Sequence, residues 1–255
     1  MSKKRKGITI ADRNRWIENW NKNKDDNYIP HINTRDFASL GNKHRAAGSK
    51  TNGRTAQLLS TNEYFMFLQL EFDPSVVSIE EQYLLPLDLT TQVAKELEVK
   101  HPIYTRTKGN IKAPLTSDFK VGYINNQNKV ISVKDSRDVE KNRTKEKQMI
   151  ERAAWEIQGE EWEQVLDTQL KTNFSINLEL LFPYRELSPA NFYQKLLPKW
   201  LPNFIACMSD SPYSPLADVI EQSGENMEKI RIVGQWYQCS LASPSNFRFQ
   251  SSIGF

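Results

Sequence analysis

The feature that most restricts the fold is a pair of strand-like runs joined by a short polar turn. The runs at 115–124 (LTSDFKVGYI) and 129–135 (KVISVKD) flank a polar NNQN segment. Short apolar runs on both sides of such a turn predict an antiparallel hairpin. With the turn centred on Asn126, Asp118 faces Lys134 directly, with both side chains on one side of the sheet and about 5 Å between their Cβ atoms.

The segments around this hairpin predict an α/β protein. An apolar face with the helical period of 3.6 residues follows Ser60, and Asp73 with Pro74 ends it. The other predicted elements are strands at 76–85, 100–105 and 162–168, and a charged helix at 138–157 that Gly159 caps. Elements in this order indicate a mixed sheet with helices on its faces.

Basic residues are concentrated at the start of the chain. Residues 1–54 contain 13 Lys and Arg against 5 Asp and Glu, whereas the remaining 201 residues contain 21 against 26. Lys and Arg placed on phosphates release condensed counterions, so a basic segment on a mildly acidic body favours DNA binding. A solvated tail explains the charge equally well. We predict a partly ordered basic arm at 1–54 and the main domain at 55–170.

The character of the sequence changes after residue 170. Ser188 with Pro189, and Ser214 with Pro215, are N-cap and N1 signals, and each opens a short segment with apolar spacing. The chain ends in a serine-rich stretch that can pair as a small ribbon. Short helices followed by a terminal hairpin predict a small winged-helix-like domain at 171–255.

Composition and motifs exclude several classes of protein. The chain has 255 residues and 38% hydrophobic content, enough to bury a sizeable core. Cys207 and Cys239 do not have zinc-ligand spacing, and GxSxG, P-loop and Rossmann motifs are missing. No run approaches the roughly 20 apolar residues that span a bilayer, which predicts a soluble cytoplasmic protein without a membrane partner. His31, His44 and His101 each stand alone and are predicted to be non-catalytic.

Asp118, Lys134 and Glu63 are the residues that can carry chemistry, and each also has an ordinary interpretation. Asp118 opposite Lys134 can be a simple cross-strand ion pair, worth about 0–1 kcal/mol when exposed. An Asp and a Lys beneath a helix end are costly to bury, however, unless they bind something. Glu63 completes a capping box that begins at Ser60, and it can equally lie over the sheet as a metal-binding carboxylate. Both interpretations stay open.

Together these residues resemble the core of the restriction-endonuclease-like superfamily. Its motif is an acidic residue, a spacer and then D/E-x-K, and here the pieces are Glu63, LTSDF with Asp118, and ISVKD with Lys134. More narrowly, the ordered segments NEYFMFLQLEFDPSVVSIEEQYLLP, VKHP, TSDF and SVK resemble the TnsA family, the endonuclease subunits of heteromeric cut-and-paste transposases. The resemblance runs from about Glu63 to Asp167. It implies a restriction-endonuclease-like mixed sheet and an endonuclease domain at 55–170.

The resemblance also implies a metal site. Glu63 and Asp118 would hold Mg²⁺, with Mn²⁺ as a substitute, because oxygen ligands suit these hard cations. Lys134 would lie beside the attacking water and the scissile phosphate, where it would stabilise negative charge.

One position departs from the motif. The residue two before the lysine is usually Glu or Gln, whereas here it is Ser132. The Val133 carbonyl or a water would then supply that metal contact. Gln82 and Glu81 can approach the same pocket, although a place in a core strand or on the surface is the favoured interpretation.

The family implies partners as well. The chain would cut double-stranded DNA at the 5′ ends of a transposon, together with a TnsB-like DDE recombinase that acts at the 3′ ends, in the bacterial cytoplasm at the nucleoid. The domain at 171–255 would bind a TnsC-like ATPase regulator. Arg45, Lys50 and Arg54 are predicted DNA contacts because they lie nearest the helix that carries Glu63. A stand-alone restriction or repair nuclease and a catalytically silent DNA-binding scaffold are the alternatives.

Overall fold

Two compact units make up the chain. The computed structural model describes residues 8–25, 27–36, 42–104, 107 and 109–182, with isolated positions between 206 and 222. The first unit comprises residues 1–64 and 75–168, and the second comprises 65–74 and 169–255. All residues predicted for the active site lie in the first unit.

The described residues form helices and strands in mixed order. In chain order they are α1 (Ile10–Asn23), β1 (His44–Ala47), β2 (Thr55–Leu58), α2 (Thr61–Phe72), β3 (Val76–Leu84), α3 (Leu87–Glu96), β4 (Thr116–Tyr123), β5 (Asn128–Lys134), α4 (Ser136–Val139), α5 (Asn142–Ile157), β6 (Glu161–Leu166), α6 (Asp167–Leu170) and α7 (Asn173–Leu181).

The main sheet has four strands in the order β3-β4-β5-β6. β3, β4 and β5 pair antiparallel, and β6 adds to β5 in parallel. A parallel pair needs a crossover, which α4 and α5 provide here. Strands β1 and β2 form a separate antiparallel pair. The predicted mixed α/β sheet with flanking helices is therefore confirmed, and it fits a restriction-endonuclease-like fold.

The first unit buries an apolar core between its sheet, α3 and α5. Trp155 and Ile150 of α5 pack with Val130 of β5 and Val93 of α3, and all four side chains are almost completely buried. In α5 the residues at 151 and 155 are one turn apart and lie on the same helix face. Glu151 is therefore carried into the interior together with Trp155.

Much of the predicted basic arm is ordered. A capping box at Thr9 and Asp12 starts α1, and Trp20 near its end is 4% exposed. The Trp20 ring meets the Tyr83 ring edge-on at 5.0 Å between centroids. Because β1 pairs with β2, the predicted boundary at residue 54 falls between two paired strands.

The hairpin forms as predicted, but its predicted register is wrong by two residues. Phe119 pairs with Ile131 and Gly122 with Asn128, so the turn centres one residue before Asn126. Asn126 adopts a φ of 61°, a conformation that Asn tolerates better than most residues. Side chains alternate with a period of two, so an offset of two residues preserves which side chains share a face.

Two other predictions of local structure need correction. The strand at 100–105 is wrong: among the described residues there, only Ile103 makes a β-bridge, to Lys112. A Pro at 102 removes a backbone donor from any such strand. The helix at 138–157 is wrong at its start, because it is interrupted at Glu140 and Lys141, between α4 and α5.

The C-terminal prediction falls mostly outside the described residues. Ser188 with Pro189 and the terminal ribbon lie there, and so does most of the predicted winged-helix-like domain. Within 171–255 the structure describes α7, which Thr172 caps through its hydroxyl. In the described part of the chain, no helix has the length and apolar character needed to span a membrane.

Candidate active site

The structure brings Asp118 and Lys134 together at the point where β4 and β5 separate. At this end of the hairpin, the last backbone pair between β4 and β5 is Phe119 with Ile131. Beyond it, the Val133 backbone N–H donates to Asp118 Oδ2 at 2.6 Å. Lys134 Nζ donates to the same Oδ2 at 2.8 Å and to the Val133 carbonyl at 2.9 Å. The Asp118 carboxylate thus accepts from the Val133 N–H where a backbone carbonyl would in a regular strand pair, and it also binds the Lys134 ammonium.

Lys134 lies in a strongly negative environment. Burial lowers the pKa of its ammonium, but the carboxylates of Asp118, Glu151 and Glu63 more than offset this and raise the pKa overall. The side chains of Lys134 and Asp118 keep 27% and 15% of their surface exposed. Lys134 is therefore charged at neutral pH, and both side chains keep some surface accessible to a ligand.

Glu63 is held at the start of α2 by a variant of the predicted capping box, in which its carboxylate accepts from the Leu59 N–H in place of the Ser60 N–H. Its backbone N–H donates to Ser60 Oγ at 3.1 Å, and Ser60 Oγ donates back to Glu63 Oε1 at 3.0 Å. The Leu59 N–H donates to Glu63 Oε2 at 2.8 Å. The residue is only 7% exposed. The capping interpretation and the placement toward Asp118 therefore hold together.

The carboxyl group of Glu63 interacts electrostatically with Asp118 and Lys134. Burial raises the pKa of Glu63 to about 8, and the negative charge of Asp118 adds to the increase. Hydrogen bonds from Leu59 and Ser60, and the charge of Lys134, act in the opposite direction. Asp118 and Lys134 are thus charged neighbours of Glu63, and a bound cation would favour the ionised form of Glu63.

Gln82 also belongs to this site. It is 2% exposed, and its Nε2 donates to Glu63 Oε2 at 3.1 Å. From sequence, Gln82 is expected to have a core-strand or surface role, with an approach to the pocket as the less favoured alternative. A signal was available, since three consecutive polar residues, Glu80, Glu81 and Gln82, lie within a strand that pairs with the strand carrying Asp118, and a period of two predicts that at least one of them faces inward.

Glu151 is a site residue that sequence reasoning missed. The hydroxyls of Ser117 and Ser132 donate to its two carboxylate oxygens at 2.7 and 3.3 Å, and the Trp162 indole donates at 3.2 Å. Burial raises the pKa of Glu151, and Lys134 acts against this rise. The sequence feature that could have identified Glu151 is its position four residues before Trp155, which places its carboxylate on the packing side of the predicted helix. Ser132, which replaces the usual Glu or Gln, is fully buried and directed at this carboxylate.

The donor set fits a hard divalent cation. The predicted ligands are all oxygens, from the Glu63 and Asp118 carboxylates and the Val133 carbonyl. Asp118 Oδ2 and the Val133 oxygen each lie within 2.9 Å of the cationic Nζ of Lys134, so these two oxygens already converge on a positive charge. Within the described ranges, no three His, Cys, Asp or Glu side chains group closely enough to hold a metal by themselves. A carbonyl or waters would have to complete the coordination.

The three predicted DNA contacts differ in their surroundings. Arg45 is exposed on β1, and Lys50 is half-buried in the following turn. Arg54 instead makes a two-pronged ion pair with Glu81, whose side chain is completely buried, at 2.9 and 3.1 Å. Its guanidinium also lies 4.8 Å from the centre of the Tyr28 ring. The charge of Arg54 therefore has a structural use.

Comparison with known proteins identifies the family of the chain. Residues 73–167 match the family described as TnsA-like endonuclease N terminal. The chain is also 30% identical over 200 residues to the Transposon Tn7 transposition protein TnsA of Escherichia coli. This alignment covers 78% of the chain, and the chain spans 66% of the length of that relative. The family match contains Asp118 and Lys134, while Glu63 lies just before it. The chain therefore belongs to the TnsA-like family, whose endonuclease domain it carries at residues 73–167.

Proposed function

We propose that the chain is a metal-dependent DNA endonuclease subunit of a transposase that cuts at the 5′ ends of a transposon. The observation that carries the proposal is the convergence of Asp118, Lys134 and the Val133 carbonyl inside the TnsA-like domain, with the Glu63 carboxyl group acting on them electrostatically from just before it. This set supplies both oxygen ligands and a fixed positive charge. Phosphodiester hydrolysis needs both, because negative charge develops on the phosphate and on the leaving oxygen.

Glu63, Asp118 and the Val133 carbonyl would hold Mg²⁺, or Mn²⁺ in its place. When bound, the ion supplies a water of lowered pKa and neutralises charge on the phosphate oxygens. The remaining roles belong to side chains of the protein. Asp118 is held in place by the Val133 N–H and the Lys134 ammonium, so its orientation is fixed before DNA arrives.

Lys134 has donor capacity left for the substrate. An ammonium group carries three N–H donors, and two of them go to Asp118 and the Val133 carbonyl. The third can donate to a nonbridging phosphate oxygen or to the attacking water. Since the surrounding carboxylates raise its pKa, Lys134 acts as a permanent positive charge and not as a proton carrier.

The proposed partners follow from the family relationship. The substrate is double-stranded DNA at transposon ends, the DDE transposase partner is TnsB-like, and residues 171–255 contact a TnsC-like ATPase regulator. The relative that the chain resembles is named for its part in transposition, which supports this assignment. Arg45 and Lys50 remain predicted DNA contacts of the first unit.

The test is cleavage by the full chain in an assembly reconstituted with its transposase partner, a transposon-end DNA and Mg²⁺. We expect Asp118→Asn and Lys134→Met to abolish 5′-end cleavage while 3′-end cleavage by the partner persists. Asp88→Asn is the matched control, because Asp88 is an exposed carboxylate in the first turn of α3. It should cleave as the unchanged chain does.

The same experiment separates the alternatives. Cutting of a plasmid by the purified chain with Mg²⁺ alone would support a stand-alone nuclease. Unchanged 5′-end cleavage by Asp118→Asn would support a silent scaffold and would overturn the proposed active site.

A further inference from the structure

Gln82 has an unusual backbone for its position in the sheet. It lies inside β3, yet its φ is 54°, in the left-handed region that costs free energy for any residue with a side chain. Glu81 pairs with Phe119, and Tyr83 pairs with Ser117. Gln82 and Asp118 therefore lie opposite each other, at a position where the regular backbone pairing of β3 and β4 is interrupted. The strained residue therefore faces the aspartate of the candidate site across the two strands.

The residues on both sides of Gln82 are firmly held. The Glu81 carboxylate accepts from the Arg54 guanidinium and from the Gln57 N–H. The Tyr83 ring packs against Trp20 and Trp155. These contacts fix the strand before and after position 82, and such surroundings are what allow a strained conformation to persist.

The strained backbone gives the Gln82 side chain a particular partner. Its Nε2 donates to Glu63 Oε2 at 3.1 Å, while Thr116 Oγ1 approaches its Oε1 at 3.4 Å. The other hydrogen bonds described for the Glu63 carboxylate come from Leu59 and Ser60, its own neighbours in sequence. Of the described hydrogen bonds, the one from Gln82 is thus the one that ties Glu63 to the sheet carrying Asp118.

We infer that Gln82 is a positioning residue that fixes the Glu63 carboxylate relative to Asp118, and that the strained backbone at 82 serves this role. The inference rests on the proposed function, since it concerns the same cation site. A structural requirement alone would favour Gly at such a φ, because Gly adopts it at no steric cost. The amide of Gln82 is the group that Gly would lack.

The test compares Gln82→Gly with Asn126→Gly. Asn126 also has a positive φ, of 61°, but it lies in the hairpin turn, so it is the matched control for relief of backbone strain. Three properties of the full chain are measured: resistance to urea, the dissociation constant for Mn²⁺ from electron paramagnetic resonance titration, and 5′-end cleavage in the reconstituted assembly.

We expect Gln82→Gly to resist urea at least as well as the unchanged chain. It should nevertheless bind Mn²⁺ about tenfold more weakly and cleave at least tenfold more slowly. Asn126→Gly should match the unchanged chain in Mn²⁺ binding and cleavage. Gln82→Asn is a second variant, since Asn tolerates this φ but is one methylene too short to reach Glu63 in the same way. It should behave as Gln82→Gly does.

Two results would overturn the inference. One is Mn²⁺ binding and cleavage within twofold of the unchanged chain in both Gln82 variants. The other is a loss of urea resistance in both variants that accounts for their weaker binding. Asp118→Asn distinguishes failure of this inference from failure of the proposed function. If Asp118→Asn cleaves normally, the proposed function is wrong. If Asp118→Asn is inactive while Gln82→Gly is fully active, only the role of Gln82 is wrong.

Discussion

At the scale of single residues, the site depends on charges that are buried at a cost. Glu63 and Glu151 are 7% and 5% exposed, and burial raises the pKa of both. Lys134 offsets part of this cost through its charge. Carboxylates that bind a cation are useful only when ionised, so the site gives up stability for function.

The first prediction concerns Glu63 and pH. The pKa of Glu63 is about 8 in the folded chain, compared with 4.5 in the unfolded chain. Between these values the folded chain keeps a proton that the unfolded chain has lost, so the contribution of Glu63 to the free energy of unfolding falls as pH rises. Glu63→Gln removes this pH dependence because its amide does not titrate. In urea denaturation, the free energy of unfolding of the variant relative to that of the unchanged chain should increase by on the order of 2 kcal/mol between pH 5.5 and pH 8.

The control for this experiment is Glu96→Gln, which alters an exposed carboxylate on α3. Its stability relative to the unchanged chain should stay constant over the same pH range. A stability difference for Glu63→Gln that does not change with pH would contradict the prediction.

The second prediction concerns Lys134. Lys134→Met leaves the carboxylates of Asp118 and Glu151 without their cation, and we expect it to lower the free energy of unfolding by about 2 kcal/mol at pH 7. The loss should shrink at pH 5, where protonation of Glu151, whose pKa is raised by burial, removes the negative charge left without its cation. Lys134→Arg keeps the charge and should keep most of the stability. Its cleavage should still fall, because a planar guanidinium does not reproduce a compact ammonium. Equal cleavage by Lys134→Arg and the unchanged chain would contradict this.

At the scale of elements, local signals were predictable and long-range ones were not. The start of α2 was visible in sequence because a capping box needs only Ser60 and Glu63. The hairpin register was not, because the NNQN turn offers several residues that tolerate a positive φ, and the structure uses Asn126. Glu151 was hidden because charged residues on a helix usually face solvent, and only the packing of α5 shows where it points.

Helix α3 shows a different kind of miss. Its sequence LDLTTQVAKE has apolar residues on one face, and Val93 and Ala94 are buried in the core. The segment lay between two predicted strands and received no prediction of its own. Pro86 directly before it is a signal in the sequence for the start of a helix.

The third prediction tests whether α1 is part of the fold. Trp20 is 4% exposed and packs on Tyr83, whereas Trp16 on the same helix is 40% exposed. We expect Trp20→Ala to cost about 3 kcal/mol of unfolding free energy and Trp16→Ala less than about 1 kcal/mol. Urea denaturation of the full chain measures both. Equal, small losses would show that α1 is dispensable for stability.

At the scale of the whole molecule, the family relationship and the geometry of the site support each other. The sequence motifs predicted the TnsA-like family, and the comparisons confirm it. Spacing along the chain could not show that Arg54 is engaged by Glu81, because this pair joins β3 to the segment before β2. The roles of residues 171–255 stay predictions, since most of them lie outside the described ranges.

The fourth prediction concerns metal binding by the full chain. A ligand that binds only the folded state stabilises it by about 2.7 kcal/mol at one hundred times its dissociation constant. Mn²⁺ or Mg²⁺ should therefore raise the melting temperature, by roughly 2–4 °C for each kcal/mol in a chain of this size. Asp118→Asn should abolish the increase, whereas Asp88→Asn should keep it. A shift of equal size in both variants would place the cation elsewhere.

The double contact of Lys134 has a consequence for how the site is assembled. Its ammonium already satisfies the Asp118 carboxylate and the Val133 carbonyl, so these groups are balanced within the polypeptide itself. The position of the Asp118 carboxylate is therefore set when β4 and β5 fold, by a charge and a backbone N–H that the same hairpin supplies.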